Sequence, residues 1–216
     1  NDFSFIAASE RGFLVGANQL WFSPDGLNWT EVPTTEVPVA DHFRVAANGD
    51  GFYAAPVSRS TDTAIWRSSD GITWEPSLAG PLSINGLAAS DLGVVATGND
   101  GTIWYSSDGD SWTSTPALVT PELGTGRPFW RVGASDDSLL VIGSGTENQS
   151  AWLSRDGLTW TEVPEAAVTT QFRDGQGVLV RMEEAVAYKI VPFGDRFIAA
   201  GDVLTGGPLV WIYEPN

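Results

Sequence analysis

The chain has 216 residues, 24 Gly, 10 Trp, one His and no Cys, and its 27 acidic side chains outnumber 11 basic ones. That length buries a large core without disulfides. The net charge of −16 repels nucleic-acid phosphate and anionic membranes, no apolar run reaches the ~18 residues of a spanning helix, and the lone His and absent thiols exclude His- and Cys-based metal clusters.

In chain order, the first unit reads as a strand around Ile6, a tight turn, a strand from Phe13, a strand carrying Trp21, and the heptad Ser23-Pro24-Asp25-Gly26-Leu27-Asn28-Trp29. The second repeats this with Val45, Phe52, Trp66 and the heptad residues Ser68, Asp70, Gly71 and Trp74. The third has Leu87, Val94, Trp104, then Ser106, Asp108, Gly109 and Trp112. The fourth has Val132, Leu139, Trp152, then Ser154, Asp156, Gly157 and Trp160. A fifth copy starts at Ile190 and Phe197 and reaches a third strand over Leu209–Tyr213, but Tyr213-Glu214-Pro215-Asn216 stands where the heptad would follow.

Successive heptad Asp residues are 45, 38 and 48 positions apart. Four short strands per unit at such a period predict an all-β propeller, because one small sheet cannot bury both faces while radially packed sheets can. The predicted blades cover 3–37, 38–80, 81–120, 121–165 and 185–214, with 166–184 inserted as a loop or hairpin. Phe172–Gly175 and Val178–Arg181 are its candidate content. The prediction is one domain of five blades with an incomplete last blade. A piece of a larger propeller, or two chains completing one another, are the other readings of how it closes.

The heptad explains itself mechanically. Asp-Gly between strands is a hairpin signal, since Gly takes positive φ without a Cβ clash. The Ser hydroxyl and Asp carboxylate can accept bonds from turn N–H groups, and the Trp can cover the turn. Ser-x-Asp-Gly-x-x-Trp, four times over, resembles the Asp-box or BNR repeat of sialidase-like propellers. That family includes sialidases, other glycoside hydrolases, sortilin-type receptors and photosystem assembly factors. The resemblance implies a structural role for Ser23, Asp25, Gly26, Trp29 and their twelve counterparts, with no metal and no cofactor.

Function is expected elsewhere. Insertions fall only between second and third strands (57–64, 143–150) and between blades (114–128, 163–187). Both connections emerge on the face opposite the heptads, and loops on a rigid scaffold carry binding. The residue before each inner-strand anchor is Phe5, Arg44, Gly86, Arg131 and Lys189. Three of these five are basic, which places Arg44, Arg131 and Lys189 near the axis, able to hold a carboxylate or other anion. The plainer reading pairs each with one of the many acids. Phe129, Trp130 and Phe172 are candidate stacking surfaces for sugar or peptide.

An arginine triad and a Tyr–Glu nucleophile pair are what the resemblance would require of a sialidase. His42-Phe43-Arg44-Val45 and Phe129-Trp130-Arg131-Val132 match its arginine motif in part but lack the Pro, and Tyr188 with Glu184 is the nearest couple. The sequence therefore points to a non-catalytic, extracytoplasmic binding or assembly module for a protein segment or glycan, without nucleic acid or membrane insertion, alone or within an oligomer or larger surface protein. The alternative is a glycoside hydrolase or a fragment of one.

Overall fold

Each unit folds as an antiparallel meander, because short apolar runs alternate with Gly- and Asp-bearing turns. In the computed structural model, which describes residues 5–57, 65–80, 83–116, 118, 129–144, 149–163, 168–169, 185–194, 196–203 and 208–213, five four-stranded sheets stand around a common axis. Blade one comprises β1 (Phe5–Ser9), β2 (Gly12–Gly16), β3 (Leu20–Ser23) and β4 (Thr30–Glu31). Blade two comprises β5 (His42–Asn48), β6 (Gly51–Val57), β7 (Ile65–Ser68) and β8 (Glu75–Leu78). Blade three holds β9 (Ile84–Ser90), β10 (Gly93–Gly98), β11 (Ile103–Ser106) and β12 (Thr113–Thr115), and blade four β13 (Phe129–Ala134), β14 (Leu139–Ser144), β15 (Gln149–Ser154) and β16 (Thr161–Glu162). The protein is an all-β, five-bladed propeller.

Blade five departs from the meander. Its strands are β17 (Val168–Thr169), β18 (Ala185–Phe193), β19 (Arg196–Val203) and β20 (Pro208–Tyr213), in the sheet order β17-β20-β19-β18. The outermost place is taken by a strand that precedes the inner one in sequence. Val168 pairs with Tyr213 and Thr169 with Ile212. The predicted hairpin content, Phe172–Gly175 and Val178–Arg181, lies outside the described residues.

The core lies between blades, not within them. Leu14 and Phe22 of blade one pack with Phe43, Val45 and Trp74 of blade two. Leu140 and Ile142 of blade four pack with Ala187, Ile190 and Phe197 of blade five. Each fully buried side chain of this kind contributes ~1.5–3 kcal/mol from removal of apolar surface from water. The inner strands pack in chain order, β1 on β5, β5 on β9, β9 on β13 and β13 on β18, whereas β18 and β1 have no packing of that extent. Among the described residues no helix is long and apolar enough to cross a membrane.

Candidate functional site

The five aligned positions ahead of the inner-strand anchors occupy one level of the propeller. Phe5 pairs with Gly16, Arg44 with Ala55, Gly86 with Thr97, Arg131 with Ile142 and Lys189 with Ala200. At that level the side chains converge. The Arg44 guanidinium lies 4.2 Å from the centre of the Phe5 ring, and the Lys189 ammonium lies 5.6 Å from the same centre. His42, two residues along β5 from Arg44, stacks on Phe5 at 6.4 Å. A ring between two cations is an electrostatic contact with its π faces, worth ~0.5–2 kcal/mol depending on desolvation.

Arg131 is held from three sides. Its Nη1 donates to Asn85 Oδ1 and to the Trp130 carbonyl, both at 2.9 Å, and its Nε donates to the Tyr188 carbonyl at 3.0 Å. Tyr188 itself is exposed, beside Lys189. Arg44 has a buried Nε with no partner among the described residues. None of the ion pairs found among them involves Arg44 or Lys189; those pairs are Arg67 with Glu75 and Asp110, and Arg155 with Asp137.

Crowded cations destabilise one another. Burial, followed by the Arg131 charge, brings the Arg44 pKa down to about 10. Lys189 is lowered by desolvation and then by Arg44 and Arg131, and Arg131 by burial. His42 is lowered by burial and by Arg44, against a smaller opposing effect of Asp41. Such a cluster favours an anion, whose charge would relieve the repulsion and return the cations to their ordinary range.

At the other end of the inner strands the charge reverses. A cavity of about 890 Å³ opens among the first turns of all five blades, with Glu10, Asp91, Asp136 and Asp137 on its wall. It lies on the heptad face, opposite the basic cluster. Among the described residues no group of three or more His, Asp or Glu side chains is arranged to hold a metal.

The predicted residues fall into three groups. Arg44, Arg131 and Lys189 come together. Trp130 is not a stacking surface: it is 1% exposed, wedged between blades three and four against Gly101 and Gly143. Strand alternation accounts for this, since the neighbour of Arg131 on β13 points to the opposite face of the sheet. The Phe129 side chain, Phe172 and Glu184 lie outside the described residues, as do most of the predicted loop insertions. Phe5 and Asn85 are site elements that residue type alone did not single out, and Tyr188, considered only as half of a couple with Glu184, presents an exposed ring beside the cluster. Phe5 was nonetheless visible in the aligned column.

The four heptads share one hydrogen-bond plan. In the first, Gly26 N–H donates to Ser23 Oγ, while Leu27 and Asn28 N–H both donate to Asp25 Oδ1 at 2.8 Å. The same bonds recur around Asp70, Asp108 and Asp156. The Gly residues have φ of 73–79°, the left-handed region that favours Gly. Beneath three of them lies an aromatic ring of the preceding blade: Phe22 under Gly71, Tyr53 under Gly109 and Tyr105 under Gly157. The Ser, Asp and Gly of each heptad thus serve the turn, and in three of the four the Gly also closes a blade junction.

The fold and the convergent inner strands define the class as that of the β-propellers. Solved structures agree. The chain is similar to YCF48 bound to D1 peptide at 15% identity and a TM-score of 0.55, covering 98% of this chain and 63% of that one. It is similar to YCF48 from Cyanidioschyzon merolae at 16% identity and a TM-score of 0.56, covering 99% and 70%. A glycosyl hydrolase from Bacteroides ovatus matches at 12% identity with a TM-score of only 0.41, covering 97% and 83%. The chain thus spans 63–70% of the two more similar structures. No family model matches the chain, and no curated protein sequence does.

Proposed function

We propose that the chain is a non-catalytic binding or assembly module of the Asp-box class, acting outside the cytoplasm, that holds an acidic protein segment on the face opposite the heptads. The observation that carries this reading is the convergence of Arg44, Arg131 and Lys189 in a chain of net charge −16, with Phe5 filling the space between two of them. A carboxylate of the bound segment would displace the ring from Arg44 and Lys189 and accept charge-assisted bonds from them. Tyr188 offers an exposed aromatic surface beside the cluster. The peptide-bound YCF48 structure supports a propeller of this shape as a peptide carrier. The extracytoplasmic setting rests on the sequence resemblance alone.

An acidic glycan would use the same cations, so the two ligand sources need separate arms. Arrays of acidic peptides and of sialylated or uronate glycans, followed by titration calorimetry of the strongest hits, distinguish them. Arg44→Ala and Lys189→Ala are each expected to weaken binding ten-fold or more, because a charge-assisted bond contributes ~1.5–3 kcal/mol. Affinity unchanged in both variants would remove the cluster from the site. Turnover of a fluorogenic glycoside that disappears in Arg131→Ala would replace the module reading with the hydrolase.

A further inference from the structure

One packing rule joins the blades. The leading face of each blade, bearing its inner-strand anchor and its heptad Trp, seats on the trailing face of the blade before it. Phe43 and Val45 seat on Gly16, Val132 on Gly86, and Ile190 on Gly133. The trailing faces present a row across the sheet whose second-strand members, Leu14, Tyr53, Val95 and Leu140, are buried by the next blade.

The two end faces break the rule. Ile6 is 60% exposed where its counterpart Val45 is 6%. Trp29 is 39% exposed where Trp74 is 6%. Under Gly26 lies Phe13 of the same blade, not an aromatic from a preceding one. On blade five the row is Val191, Ile198 and Ile212. Ile198 remains half-buried, Val191 is exposed, and Phe193 beside it is 68% exposed. Among the described residues, both halves of a junction that closes four times elsewhere are therefore exposed.

We propose that these two faces bind a second copy of this chain head to tail, blade one of one protomer seating on blade five of its partner. The occupant follows from the repeat. The complement of a trailing face is a leading face, the pairing already made at four junctions, and a second copy brings a bare one. Exposed apolar side chains grouped on one sheet face, as Ile6 with Trp29 and Val191 with Phe193 are, mark an interaction site. The contact is heterologous: different patches meet, so it either closes or continues. Repulsion between acidic chains opposes it and is screened within ~8 Å at physiological salt. Association therefore strengthens as salt is added, the reverse of an ion-paired contact.

Sedimentation velocity across concentration and salt tests the proposal. The expected result is a mass that rises above the 23.0 kDa monomer with both variables. Ile6→Glu and Phe193→Glu each remain monomeric, with unchanged thermal melts because both side chains already face solvent. Mixed together they form a dimer and nothing larger, since one retains a trailing face and the other a leading face. A wild-type monomer under all conditions overturns the proposal. So does continued assembly of either single variant, or a mixture that stays monomeric.

Discussion

Ser77 on blade two and Trp112 on blade three are joined by a hydrogen bond of 2.9 Å from the indole Nε1 to the Ser hydroxyl, which itself donates to the carbonyl of Gly109. One hydroxyl thus ties an outer strand to the heptad turn of the next blade. Ser77→Ala leaves the indole N–H and the carbonyl without this partner and is expected to cost ~1–3 kcal/mol. The midpoint of urea denaturation should fall accordingly. An unchanged midpoint would mean that water replaces the hydroxyl at no cost.

The heptad Gly residues are not equivalent. At Gly157 a Cβ would strike the Tyr105 ring of the preceding blade, and at Gly71 the Phe22 ring, whereas at Gly26 it would meet Phe13 of its own blade at 3.2 Å. Positive φ contributes ~1 kcal/mol at every site, and overpacking adds ~1–3 kcal/mol at the first two. Gly71→Ala and Gly157→Ala should lower the thermal midpoint clearly more than Gly26→Ala. Equal losses at all three would show that φ alone sets the requirement.

The heptad carboxylates make stability acid-sensitive. Backbone N–H bonds, led by Ser111 for Asp108 and Thr159 for Asp156, hold both pKa values down to about 2, against ~3.9 in an unfolded chain. A depressed carboxylate contributes stability that is fully present above the unfolded value and lost as pH falls through the folded one. Denaturation free energy should therefore drop between about pH 4 and about pH 2, and Asp108→Asn should flatten part of that slope. A slope identical to wild type would exclude Asp108 as a contributor.

Trp130 gives the sharpest separation of structure from binding. Trp130→Ala should destabilise the fold by ~3–5 kcal/mol as a large core truncation, read by denaturant titration. Selective loss of ligand binding with stability intact would return Trp130 to the site.

Much of this was readable in the residues, for definite reasons. Asp-Gly turns at a regular period have few folds open to them, and the propeller followed. Arg44, Arg131 and Lys189 were found because equal spacing from equivalent anchors places residues at one level. Trp130 was misassigned because its residue type outweighed strand alternation. β17 was illegible, since two residues, Val168 and Thr169, carry no periodicity and owe their place to an open edge on β20. The pairing of Phe5 with cations from blades two and five required the axis itself, as the partners are far apart in sequence.

The reversal of charge along the axis, from Glu10, Asp91, Asp136 and Asp137 at one mouth to Arg44, Arg131 and Lys189 at the other, gives the molecule an electric dipole on top of its net charge. An anionic ligand is turned away from nearly every direction of approach and drawn in only along one. Rejection by the bulk of the surface then does as much to aim the encounter as attraction at the mouth does. Added salt weakens both effects together, so the capture rate should vary with ionic strength far less steeply than three exposed cations alone would dictate.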